Sequence, residues 1–234
     1  MKPWLPLAVL AFSLAACTQA PPDPAFDEAA GNRLLLDYDS AREDGDWELA
    51  EYHADELRRK HGETRAAATM RQTLADVQAK AEVEREQRRL RDAWDYQRNP
   101  VEGGGVQVTA ALDSRVGHDP ESETPPPIPD ARLIFRRHPS WGDSAYLVLA
   151  QKELKCGPPC RLRIRFDGGE PQTYAGDPAD TGTGPALFIV DRDRFLEALD
   201  AAGRVRIELP ASGHLTPSFE FEVGGFDKQR HLRD

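Results

Sequence analysis

The sequence predicts an α+β protein: an N-terminal helical hairpin plus a long helix, then an antiparallel β-sandwich or open barrel carrying one short helix. Three observations lead there. Residues 26–98 run without a proline and place apolar residues three and four apart, the spacing of one helix face. Beyond Gly103-Gly104-Gly105 the period falls to two, as in Val106, Val108, Ala110 and Leu112. Glycine and proline then recur between short apolar runs, which marks turns between strands.

The helical elements follow in order. Leu34, Tyr38 and Ala41 share one face of the first helix. Gly45 suits its end, and Asp46 suits the start of the next, because a carboxylate there accepts an exposed backbone N–H. Trp47, Ala50, Ala54 and Leu57 make the second apolar face, Gly62 ends that helix, and Thr64 can cap a third. In the long third helix Met70, Leu74, Val77 and Ala81 fall at heptad-like spacing. Past Ala81 the stripe is lost in EVEREQRRLRD. Its arginines (Arg85, Arg88, Arg89, Arg91) are interleaved with acids, as on a solvated face, and Glu84 and Arg88 form an i,i+4 pair. The segment from Ala41 to Leu57 resembles a tetratricopeptide-type helix hairpin. It occurs once, and such repeats need stacked neighbours to bury a core, so a plain hairpin is expected.

Asn99-Pro100 and the glycine run mark a boundary, with a β-rich domain expected over residues 99–234. After a first strand at Val106–Leu112 and a proline-rich loop at residues 121–130, candidate strands fall at Arg132–Arg136, Tyr146–Ala150, Arg161–Phe166, Ala186–Val190, Val205–Leu209 and Phe219–Val223. Asp167-Gly168 is a hairpin signal. The run from Asp193 to Ala202 reads as one short amphipathic helix.

The first residues carry a different signal. Met1-Lys2 is positively charged, and Trp4 to Ala16 is apolar. A dozen or so residues at ~1.5 Å each span about 20 Å, short of the ~30 Å bilayer core, so this run reads as a secretory leader and not a membrane span. It ends in Leu14-Ala15-Ala16-Cys17, which resembles the bacterial lipobox. That resemblance implies a signal peptide over residues 1–16, cleavage before Cys17 and lipid attachment at Cys17. Two or more acyl chains there would hold the protein stably at a bilayer. Thr18 stands where an Asp would retain such a protein in the inner membrane. The expected location is therefore the outer membrane, facing the periplasm. Residues 17–25 are polar and proline-rich and read as a lipidated tether.

A second resemblance covers residues 94–226. Trp94, Tyr96, Leu133, Arg136, His138, Pro139, Gly142, Cys156, Cys160, Phe166-Asp167-Gly168, Leu187-Phe188-Ile189, Phe195, Phe219, Phe221 and Gly224 resemble a domain of uncharacterised bacterial and phage-associated proteins. The order of the cysteines, Phe-Asp and Phe-Ile is distantly similar to an accessory lipoprotein-like component of type VI secretion. The first resemblance implies a compact domain and no assigned chemistry.

Few residues suggest chemistry. Cys156-Gly157-Pro158-Pro159-Cys160 resembles the redox motif Cys-Gly-Pro-Cys with a proline inserted. A redox pair needs two intervening residues at a helix start, whereas Cys160 leads into a strand. A structural disulfide closing a tight turn is the preferred reading, beside two free buried thiols or thiol–disulfide oxidoreductase chemistry. Arg161, Arg163 and Arg165 alternate with Leu162, Ile164 and Phe166, so the three arginines share one strand face. They read either as an anion site, for lipid phosphate or glycan carboxylate, or as partners for Glu208, Glu220 and Glu222 across a ladder. The preferred reading is pairing. His138 reads as a packing residue. Ser212-Gly213-His214 lacks a nucleophile elbow, Asp177, Asp180, Asp191 and Asp193 lack the calcium-loop order, and the glycine run opens no helix. No metal site or cofactor is expected.

A net charge of −10 over 234 residues argues against non-specific nucleic-acid binding. The expected function is a membrane-tethered envelope lipoprotein acting as a non-catalytic binding or scaffolding module, its partners being the membrane and an envelope protein. The alternatives are an oxidoreductase using Cys156 and Cys160, or an accessory part of a secretion apparatus.

Overall fold

The computed structural model of the chain describes residues 24–115, 130–150, 156, 160–178, 185–210 and 216–232. The leader, Cys17, and all of the expected tether but Pro24 and Ala25 lie outside them. Helices come first: α1 (Pro24–Asp44), α2 (Trp47–His61), α3 (Arg65–Arg71) and α4 (Leu74–Asp92). Then follow β1 (Asp95–Pro100), β2 (Val106–Asp113), β3 (Ala131–His138), β4 (Gly142–Leu149), β5 (Cys160–Phe166), β6 (Gln172–Pro178), β7 (Ala186–Ile189), α5 (Arg192–Asp200), β8 (Arg204–Glu208), β9 (Ser218–Glu222) and α6 (Lys228–Leu232). The chain forms two compact units, divided within α4 after Ala81. No helix among the described residues is long and apolar enough to cross a membrane.

In the first unit, two residues both end α1 and start α2. Gly45 adopts a φ of 75°, which a side chain would resist. The Gly45 N–H then reaches the Arg42 carbonyl at 3.2 Å and the Asp46 N–H reaches that of Ala41 at 2.9 Å, the paired hydrogen bonds of a glycine-terminated helix. The Asp46 side chain accepts from the Leu49 N–H at 3.0 Å and caps α2. Thr64 caps α3 in the same way through the Ala67 N–H. Tyr38, Ala41, Ala50, Ala54, Leu57, Met70 and Val77 are buried together as the core of this unit. The expected single third helix is two. It breaks at Gln72 and Thr73, where the Thr73 hydroxyl meets both the Met70 carbonyl at 3.3 Å and the fully buried Tyr38 hydroxyl at 2.8 Å. A side chain that bonds its own backbone in this way competes with the helical ladder.

The second unit holds one open nine-stranded sheet in the order β1-β2-β3-β4-β7-β6-β5-β8-β9, every neighbour antiparallel. It curls: the Arg115 N–H, just past β2, reaches the Glu220 carbonyl of β9 at 2.7 Å. The concave face carries the core, including Leu133, Phe135, Leu147, Leu162, Ile164, Val205, Ile207 and Phe221, with Phe195 and Leu199 of α5 packed into it. Strand structure begins earlier than expected. The helix stops at Asp92, residues 95–100 are β1 rather than the end of the helical region, and Gly103, Gly104 and Gly105, all at positive φ, turn β1 into β2. Asp167 and Gly168 form the expected turn, both at positive φ, with the Gly169 N–H on the Phe166 carbonyl at 2.8 Å.

Candidate functional site

The convex face of β5, β8 and β9 collects the charge. Alternation turns Arg161, Arg163 and Arg165 outward while Leu162 and Ile164 go to the core. Register then decides each arginine's neighbour. Arg163 lies opposite Glu208, and the pair meets at 3.4 Å. Arg165 lies opposite Arg206, a like-charge pairing, and Arg206 turns to Glu220 at 2.9 Å. Arg204 lies opposite Glu222. Glu222 also meets Arg89 of α4 at 2.9 Å and Arg115 at 3.4 Å. Cross-strand pairing thus accounts for Arg163 alone among the three singled out from the sequence. Arg161 and Arg165 have no ion-pair partner among the described residues, and the Arg165 Nε is buried without a hydrogen bond.

The acids sit low and the guanidinium groups stand above them. The Glu222 side chain is 16% exposed against 62% for Arg204, and Glu208 is 21% exposed against 61% for Arg163. The Arg206 hydrogen bond, helped by Arg115 and Arg204, holds the Glu220 carboxyl below the usual range. Arginine heads thus stand above the glutamates of β8 and β9 on a chain of net charge −10, with the half-exposed Glu86 of α4 near Arg204. Exposed pairs of this kind contribute about 0–1 kcal/mol each, so they add little to stability.

Cys156 and Cys160 are joined as a disulfide, their Cα atoms 5.3 Å apart. Both are buried, 6% and 4% exposed, within the core of the second unit. Gly176 lies opposite Cys160 on β6, and a Cβ there would stand 2.8 Å from the Cys160 Sγ, so the missing side chain makes room for the bridge.

A histidine the sequence did not single out lies at one end of the sheet. His231 of α6 is 1% exposed and its Nδ1 has no hydrogen-bond partner. It lines a cavity of about 410 Å³ with Arg192, Lys228, Leu196 and Phe226. Arg192 also pairs with Asp143 at 2.9 Å, which in turn meets Arg137 at 3.5 Å. Burial, reinforced by Arg137 and Arg192, pushes the His231 imidazole down to about 4, with Asp143 opposing. The consequence for stability has a definite sign. The unfolded chain takes up this proton as pH falls below about 6.5, while the folded protein refuses it until about 4. Stability from this group is complete above pH ~6.5 and falls by roughly 1–3 kcal/mol as pH drops through that window. Thermal melts of wild type and His231→Phe across it are expected to diverge, the wild type losing more. Parallel curves would contradict the assignment.

His138 does more than fill space. Its Nδ1 accepts the N–H groups of Ser140 at 3.1 Å and Trp141 at 3.2 Å, and its ring stacks on Trp141 at 3.9 Å. It braces the β3–β4 turn. Among the described residues no group of three or more His, Cys, Asp or Glu could hold a metal ion. Ser212, Gly213, His214 and Asp180 lie outside them, as does Cys17.

Fold and site define the class as an α+β chain whose open, curled antiparallel sheet bears an arginine-rich convex face and a buried disulfide. No protein-family model matches the chain, and no curated protein matches it. Among solved structures it is similar to the crystal structure of invasion associated protein B from Bartonella henselae. The two share 13% identity over 60% of this chain and 89% of that one, with a TM-score of 0.39. Nothing about activity follows from so distant a likeness.

Proposed function

We propose that the chain is exported, cut before Cys17 and held by lipid on that residue at a bacterial membrane, with the outer membrane facing the periplasm as its destination. There its β-rich unit serves as a non-catalytic binding module for a partner in the envelope. The observation that carries this reading is the buried disulfide. Bonds between cysteines persist in oxidising compartments, so the bridge supports export, in keeping with Leu14-Ala15-Ala16-Cys17. Its burial separates it from redox catalysis, which needs an accessible, activated thiolate. Cys160 opens a strand and not a helix, so it lacks the helix-start placement of a redox motif.

Trapping thiols in intact cells tests both parts. Cys156 and Cys160 are expected to be fully oxidised in the cell and to resist reductant until the protein is unfolded. Reduced cysteines in cells would contradict export, and a thiol that alkylates rapidly in the native protein would replace the structural bridge with a redox centre.

A further inference from the structure

We propose that the arginine face of β5 and β8 is a docking surface for a bilayer bearing anionic phospholipid headgroups. The proposal deepens the reading of a membrane-tethered module and rests on it.

The first support is a conflict in the ladder. Like charges directly opposite on neighbouring strands destabilise a sheet, yet Arg165 faces Arg206. Of the two, only Arg206 has a carboxylate, and Arg165 is left half-buried with an unpaired Nε. Folding gains nothing from this arrangement. A bound anion offsets the repulsion between the two guanidinium groups, since such groups pair with phosphate oxygens through their terminal nitrogens.

The second support is the shape of the array. Residues two apart on a strand stand about 6.7 Å apart, and adjacent strands about 4.8 Å apart. Arg161, Arg163 and Arg165 on one strand and Arg204 and Arg206 on the next therefore form a two-dimensional lattice of charge. None of these arginines lines the cavity beside His231. Such a lattice engages many phosphates at once, as a membrane surface offers, where a single small anion would call for an enclosed pocket. The low-lying glutamates hold the guanidinium stems in place without covering their heads.

The test uses the mature chain from residue 17 with Cys17→Ser, made without acyl groups, so that only the protein surface can bind. It is sedimented with vesicles of phosphatidylglycerol and phosphatidylcholine, and with phosphatidylcholine vesicles alone. Binding is expected to the anionic vesicles only, and to weaken sharply between low (~0.05 M) and high (~0.5 M) salt as screening shortens. Arg161→Gln and Arg165→Gln are each expected to weaken it about fivefold, the conversion of ~1 kcal/mol per basic residue at an anionic surface. Arg165→Gln should meanwhile leave the unfolding midpoint unchanged or raise it, since it relieves the clash with Arg206; that rules out misfolding as the cause of lost binding. Equal binding by the variants, binding to phosphatidylcholine alone, or full displacement by inorganic phosphate at matched ionic strength would each overturn the proposal. Because the protein used carries no lipid, none of those results bears on the anchor at Cys17.

Discussion

Phe135→Ala is expected to cost the β-rich unit about 3–5 kcal/mol, the range for deleting a buried aromatic ring. The ring is 1% exposed and stands at the meeting point of elements far apart in the chain. Trp94, just before β1, stacks on it at 5.9 Å between centroids. Phe195 of α5 lies at 6.0 Å, and Phe226 and His231, before and within α6, lie at 5.3 and 6.2 Å. Each such contact adds beyond simple burial. Deletion therefore loosens the two flanking segments together with the sheet. Urea unfolding followed by tryptophan fluorescence measures the loss. A destabilisation under about 1 kcal/mol, the size of a surface change, would mean that the ring does not hold these segments.

Gly225→Ala comes next, at about 3 kcal/mol, the upper end of what overpacking costs. A Cβ at Gly225 would sit 2.1 Å from the carbonyl carbon and oxygen of Leu90 and 2.4 Å from the amide of Arg91. Those atoms are helix backbone, so no side chain can swing aside. The turn after β9 and the last turns of α4 would have to separate. The adjacent Gly224 is the internal control. A Cβ there would meet nothing closer than 3.5 Å, an ordinary contact, so Gly224→Ala should change stability by less than about 1 kcal/mol. Thermal melts of the two variants should differ by roughly 4–12 °C for a chain of this size. Equal midpoints would contradict the close approach of α4 to that turn.

Much of the architecture was legible because its signals are local. Gly45 and Asp46 announce a helix end and a helix start, and both do so through backbone bonds that involve no distant residue. The runs of β3, β5 and β8 bury alternate residues, so period two survives in the sequence. Three elements escaped because their signals are weak or shared. Only the first two residues of β1 are partly buried, and its last is a proline, which an edge strand tolerates since no partner needs that N–H. β6 has one buried residue, Tyr174, among threonine, glycine, aspartate and proline, which read as a turn. α6 is five residues of mostly polar sequence, and the burial of His231 comes from the packing of α6 in the fold rather than from its own pattern.

The arginine face divides in the same way. Alternation alone put Arg161, Arg163 and Arg165 on one side of β5. The identity of their neighbours depends on the β5–β8 register, which sets Arg163 against Glu208 and Arg165 against Arg206. A shift of one residue would have reversed which side chains face the core, so the buried Ile164 and Ile207 hold that register. The break between α3 and α4 was hidden for a related reason: no glycine or proline marks it, and the Tyr38 hydroxyl that meets Thr73 comes from another helix.

The mass of the first peptide of the protein recovered from bacterial membranes tests the account most directly. A chain that begins at Cys17 and carries a diacylglyceryl group on its sulfur with an acyl group on its amine is the predicted result. A chain that begins at another residue, or at Cys17 without acyl mass, would contradict the tethered reading.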